Sequence, residues 1–119
     1  VESIAPEEVV ELIGSDDVVI LDVREEREYE KGHIPGAMLM PWNSGVLQEK
    51  WEELPKDKTI IVHCASGFRS ALAAQFLEDN GFQDVRDLGG FYAYSALPDV
   101  EIETGPYEED TPVRAWAYY

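Results

Sequence analysis

Short apolar runs alternate along the chain with stretches whose apolar residues recur at helical spacing. Val18 to Val23 is apolar except for Asp22, the pattern of a strand covered on both faces. Thr59 to His63 repeats that pattern and ends directly at Cys64. Asp84 to Leu88 predicts a further strand, Ala37 to Met40 a brief one, and Val100 to Glu103 a terminal extended piece. Between them, Pro6 to Ile13 predicts a helix: Pro6 suits the first position, Glu7 and Glu8 complement the positive end, and Gly14 stops it. Its expected inward stripe is Val9, Val10, Leu12 and Ile13. A short charged helix, Glu25 to Lys31, ends at Gly32, and the turn His33-Ile34-Pro35-Gly36-Ala37 follows. Asn43 to about Glu53 predicts a helix with Val46, Leu47 and Trp51 inward. Arg69 to Asn80 is the strongest helical pattern, with Leu72, Phe76 and Leu77 on one face and Asn80-Gly81 closing it. Gly90 to Ala96 predicts a short aromatic helix.

Strands alternating with helices at this spacing imply an α/β fold around a largely parallel sheet. Ligands of such sheets bind beyond the carboxyl ends of the strands. The strand Thr59 to His63 delivers Cys64 to that edge. With 119 residues the chain has room for one domain, here residues 1–104, followed by an acidic and aromatic tail, 105–119, expected to pack or to stay mobile.

Charge narrows the partners. The chain has 9 Lys+Arg against 25 Asp+Glu, a formal net charge of −16. Nucleic acid and anionic membrane surfaces are therefore excluded as expected partners, since both recruit Lys and Arg. No apolar run approaches the ~20 residues that span a bilayer. The lone cysteine allows no intrachain disulfide, and two His with scattered carboxylates show no metal-ligand spacing. A cytoplasmic monomer is expected; a signal peptide already removed would place it in the periplasm instead.

The chemistry concentrates in Cys64-Ala65-Ser66-Gly67-Phe68-Arg69-Ser70. Gly67 lets the loop curl back over the sulfur, and successive N–H groups of such a curl form an anion-binding nest. The N-terminus of the following helix adds its dipole and Arg69 a full charge. The loop is expected to stabilise a Cys64 thiolate and any anion bound beside it. The plainer reading, a small buried cysteine before an ordinary turn, fits the Gly, the Arg and the helix start less well.

This loop resembles the active-site loop of rhodanese-homology domains. Leu21-Asp22-Val23-Arg24, running through Glu28-Tyr29 to Gly32-His33-Ile34-Pro35-Gly36-Ala37, resembles that family's upstream signature. Asp87-Leu88-Gly89-Gly90-Phe91 resembles the segment after its loop helix. The three motifs, in order, cover about residues 3 to 104. The resemblance implies a rhodanese-like three-layer sandwich, a five-stranded mainly parallel sheet flanked by helices. It also implies sulfur transfer through a Cys64 persulfide, from thiosulfate or another persulfide donor to cyanide, a small thiol or a protein acceptor. The catalytic residue would be Cys64, with Ala65, Ser66, Gly67, Phe68, Arg69 and Ser70 binding substrate. No metal or organic cofactor is implied. Two other readings stay open: a sulfur-relay or protein-interaction module with incidental activity, and a phosphatase or arsenate reductase of the same fold. Those phosphoryl and arsenyl relatives have a loop one residue longer. The four residues between Cys64 and Arg69 make a cradle suited to a sulfur atom rather than a tetrahedral phosphate.

The remaining polar residues have structural readings beside functional ones. Asp22 ends a buried strand, where a carboxylate needs a partner: it supports the loop, or it pairs with Arg24 or Arg27. Arg24 is also a candidate to support the site, although its spacing to Glu28 predicts a surface pair on the short helix. His33 is read as a structural hydrogen-bonding residue. His63 is read as packing, because strand alternation turns it away from Cys64. Phe68 is expected at the entrance, Trp42 and Trp51 over the core, and Gly89-Gly90 in a tight turn that lets Phe91 and Tyr92 pack beside the loop. Long-range repulsion by the net charge works against an anionic donor such as thiosulfate, and favours a persulfidic protein or a neutral one.

Overall fold

The computed structural model describes residues 1–108. The two apolar runs become the central strands. β2 (Val18–Asp22) and β4 (Thr59–Cys64) pair in parallel from Val18 opposite Thr59 to Asp22 opposite His63. β5 (Asp84–Gly90) lies against β4, β1 (Glu2–Ser3) against β5, and β3 (Met38–Leu39) against β2. The sheet order is β1-β5-β4-β2-β3 and every pair is parallel. Among the described residues, five helices cover it: α1 (Pro6–Leu12), α2 (Glu26–Lys31), α3 (Val46–Lys50), α4 (Phe68–Asp79) and α5 (Phe91–Ser95).

Alternation along the central strands sends side chains to two cores. Val19, Leu21, Val23, Ile60, Val62 and Cys64 face the side packed by α3 and α4. Ile20 and Ile61 face the side of α1, α2 and α5, which contribute Val9, Tyr29 and Tyr94. Both faces being covered explains why the runs read as almost continuously apolar. The three layers expected of the sequence are thus the layers of the molecule.

Several local expectations change. Val10 and Leu72 are exposed rather than inward. On α1 the buried position is Val9, and on α4 the small Ala73 and Ala74 with Leu77 form the contact stripe, so each displaced residue lies one step off its seam. The helix expected from Asn43 begins only at Val46, because residues 43–45 form a turn that Gly45 leaves at φ +80°; a 3₁₀ turn, Trp51–Glu53, ends it. Gly89-Gly90 closes β5 instead of forming a separate turn. The extended piece after Val100 makes a single antiparallel bridge, Glu103 to His33. β1 was not foreseen, since Glu2 and Ser3 carry no apolar signal and are held by main-chain pairing to Arg86 and Asp87. Trp42 and Trp51 cover the core as expected, both edge-on to Phe76. Of the tail, Gly105 N–H bonds Glu30 C=O at 2.9 Å and Tyr107 sits edge-on to Tyr29. The expectation for residues 109–119 lies outside the described residues.

Candidate active site

Cys64 is the last residue of β4 and is fully buried on the α4 side. Its sulfur lies on the floor of the loop that leads into α4. Gly67 N–H donates to Cys64 Sγ at 3.0 Å, and Ser70 Oγ lies 3.6 Å from the sulfur. Ser70 is itself fully buried, its hydroxyl directed at Gly67 C=O at 3.2 Å. This curl needs Gly67 at φ +100°, a region closed to most residues, and α4 starts immediately after it. The first N–H groups of that helix have no carbonyl partner within it.

The floor is closed from the side by β5. A bulge between Val62 and His63 shifts the pairing so that Cys64 lies opposite Gly90. There is no room for a side chain at position 90, where a Cβ would stand 2.6 Å from Ala65 C=O. Ala65, Ser66 and Phe68 are exposed, so the loop that covers the buried sulfur itself meets solvent.

Two ion pairs frame this loop, and neither is the one expected from spacing. Arg24 is buried, and its guanidinium takes Asp22 in a two-pronged grip, Nε to Oδ1 at 3.0 Å and Nη2 to Oδ2 at 2.8 Å. It also donates to Gly32 C=O at 2.7 Å and lies over the Phe91 ring at 4.5 Å. The predicted surface pair Arg24–Glu28 therefore does not form: a fully buried Asp22 needs a cation more than a partly exposed Glu28 does. Glu28 instead receives Arg69, Nη1 to Oε1 at 2.7 Å and Nη2 to Oε2 at 2.9 Å. Arg69 holds the Glu28 carboxyl at about 2, chiefly through this hydrogen bonding, and the Arg69 guanidinium is pushed up in return. The charge expected to face an anion in the loop is thus shared with α2.

The other face of the strand end carries His63, opposite Asp22 in the register and fully buried. Burial pushes its imidazole down from the ordinary value, so it is neutral near neutrality. Nδ1 lies 3.3 Å from Cys64 C=O, Nε2 lies 3.6 Å from Asp22 Oδ2 without a hydrogen bond, and the ring faces Phe91. Its packing away from the sulfur matches the strand reading. His33 is likewise structural: Nδ1 meets Tyr29 C=O at 2.8 Å and the ring stacks on Tyr29 at 3.6 Å. Phe91 packs beneath the site while Tyr92 points to solvent, which corrects half of the expectation for that pair.

The sequence carried usable signals for some of this. Asp22 ends β2 and His63 comes one residue before the end of β4, and aligning the two parallel strands from their starts brings them together. No local signal links Glu28 to Arg69, which are 41 positions apart. Among the described residues no group of three or more His, Cys, Asp or Glu is placed to hold a metal ion.

A buried sulfur at the end of a parallel strand, under a solvent-exposed glycine curl at a helix start, has the chemistry to hold one atom covalently beneath the N–H groups of that curl. Comparison with known proteins places the chain in a family. Residues 5–97 match the family model for the rhodanese-like domain. The chain is 36% identical over 97 residues to the thiosulfate sulfurtransferase GlpE of Pseudoalteromonas translucida, covering 81% of this chain and 90% of that one. To the thiosulfate sulfurtransferase GlpE of Coxiella burnetii it is 39% identical over 90 residues, covering 75% of this chain and 82% of the other. Among solved structures, a rhodanese-related protein from Thermoplasma volcanium superposes with a TM-score of 0.75 at 33% identity, covering 87% of this chain and 98% of that one. The chain belongs to the rhodanese-like domain family, alongside sulfurtransferases.

Proposed function

We propose that this protein moves a sulfane sulfur from thiosulfate or another persulfide donor to a thiophilic acceptor through a Cys64 persulfide. The observation that carries the reading is the seat of the Cys64 sulfur: buried, held by Gly67 N–H at 3.0 Å, and next to the Ser70 hydroxyl. In the first half-reaction the Cys64 thiolate attacks the outer sulfur of the donor. With thiosulfate the S–S bond breaks and sulfite leaves with the bonding pair. In the second, the acceptor attacks the outer sulfur of the persulfide and Cys64 leaves as thiolate. Splitting the transfer in two gives ping-pong kinetics. The Gly67 N–H is placed to stabilise charge on sulfur at each stage, and the start of α4 adds to it. Neither half-reaction calls for a metal or an organic cofactor.

Intact mass after incubation with thiosulfate tests this reading. The chain should gain about one sulfur atom, lose it to cyanide, and gain nothing as Cys64→Ser. Absence of any gain, with thiosulfate or with a small persulfide, would overturn it.

A further inference from the structure

Three large apolar side chains stand in water at the edge of the sheet where Cys64 lies. Phe68 is 73% exposed, and Leu72, one turn along the same face of α4, is 43% exposed. Tyr92, in the first turn of α5, is 78% exposed. None is needed by the core: α4 packs through Ala73, Ala74 and Leu77, and α5 through Phe91 and Tyr94. α4 and α5 cover opposite faces of the sheet, yet both start beside the loop: Gly67, just before α4, lies against Gly89, and Gly90, just before α5, lies against Ala65. Phe68 and Leu72 belong to the helix that starts from one end of this contact and Tyr92 to the helix that starts from the other. A site that served only small ions would gain nothing from this apolar rim.

Charge points the same way. The two arginines beside the loop are both engaged by carboxylates, Arg69 by Glu28 and Arg24 by Asp22. The chain as a whole carries −16. A free anion gains little here, whereas a positively charged protein surface is drawn in.

Building on the sulfurtransferase reading, we propose that Phe68, Leu72 and Tyr92 form a docking rim for an acceptor protein that presents a cysteine among basic and apolar residues. The apolar residues of the partner rest on the rim, and the acidic chain attracts its Lys or Arg. The partner's thiolate then attacks the outer sulfur of the Cys64 persulfide. The S–S bond breaks, Cys64 takes the electron pair as thiolate, and the partner leaves as a persulfide. The exchange is balanced without oxidant or reductant.

The test compares two peptides of equal charge, Lys-Leu-Cys-Phe-Lys and Lys-Ser-Cys-Ser-Lys, as acceptors from the sulfur-loaded protein, followed by intact mass. The apolar peptide should be persulfidated about fivefold faster or more, and added salt should slow both. The double variant Leu72→Ser/Tyr92→Ser should lose most of that preference and still discharge to cyanide at the rate of the unaltered chain. Binding of the unloaded protein to the same peptides, made with Ser in place of Cys, reads the rim independently of sulfur chemistry and should show the same preference. Equal binding of the two peptides would overturn the docking rim whatever Cys64 does. So would a preference that survives in the double variant. Failure to load sulfur, with the binding preference intact, would instead remove the sulfurtransferase reading and leave the rim standing.

Discussion

Asp22–Arg24 and Glu28–Arg69 are both two-pronged arginine–carboxylate pairs beside one loop, yet they do different work. The first is sealed inside the protein: side-chain exposure is 0% for Asp22 and 6% for Arg24. It ties the end of β2 to Gly32 and to Phe91, so it holds together the elements on which the loop rests. The second lies at the rim, with 17% of Arg69 and 29% of Glu28 exposed, and joins α2 to α4 across the sheet edge. Burial separates them. A charge that cannot reach water depends wholly on its partner, while a charge at the rim can exchange its partner for water or for a ligand.

The largest effect should come from breaking the buried pair. Asp22→Asn leaves the Arg24 guanidinium uncompensated in the interior and should destabilise the fold by about 3–5 kcal/mol, read as a lower denaturant midpoint with an unchanged slope. Removing both charges together, as Asp22→Asn/Arg24→Met, should cost less than Asp22→Asn alone. A double variant no more stable than the single one would mean that Arg24 is satisfied by Gly32 and Phe91 without Asp22.

This contrast also marks what could be seen in the sequence. The central strands, the cysteine at a strand end and the glycine curl were legible because each is written in consecutive residues. Asp22 was legible as a problem, a carboxylate at the end of an apolar run, and Arg24 was one of two solutions open to it. The i, i+4 rule then misled, because Arg24 lies before α2 begins and so does not share a helical face with Glu28. The true partner of Glu28 comes from α4, and only the assembled sheet brings it near. Exposure at Leu72 was hidden for a related reason. A helix that packs through alanines shows a faint apolar stripe, and the eye takes the larger leucine beside it.

A middle-sized effect should follow from His63, which shares the buried pair's side of the sheet. Its imidazole is held neutral by burial, with its pKa below the ordinary 6.5, so between those two values the unfolded chain binds a proton that the native chain does not. Stability must then rise with pH across that window and fall on acidification below 6.5, by about 1.4 kcal/mol per pH unit at most. Unfolding free energies measured from pH 7.5 down to pH 5 should show this slope, and His63→Phe should flatten it. A slope unchanged in His63→Phe would assign the acid sensitivity to another group.

The smallest effect is the most informative about the site. Glu28→Gln removes the anion that occupies Arg69 while leaving the guanidinium in place. Because Glu28 is held at about 2 against an ordinary 4.5, its ion pair contributes stability above pH 4.5 and loses it as pH falls towards 2. At neutral pH the pair stands at the rim, so its loss should cost about 1 kcal/mol or less. The gain should appear in catalysis. Arg69 is within electrostatic reach of Cys64, and a guanidinium released from Glu28 can turn its charge to an anionic donor in the loop. The KM for thiosulfate should fall about two- to fivefold, the equivalent of about 0.5–1 kcal/mol, with kcat little changed. Discharge of the persulfide to cyanide should be followed alongside, because cyanide is also an anion and should speed up in the same direction. A rise in KM would mean that Glu28 orients Arg69 for donor binding instead of occupying it. The rim pair would then belong with the buried one as part of the framework that positions the loop.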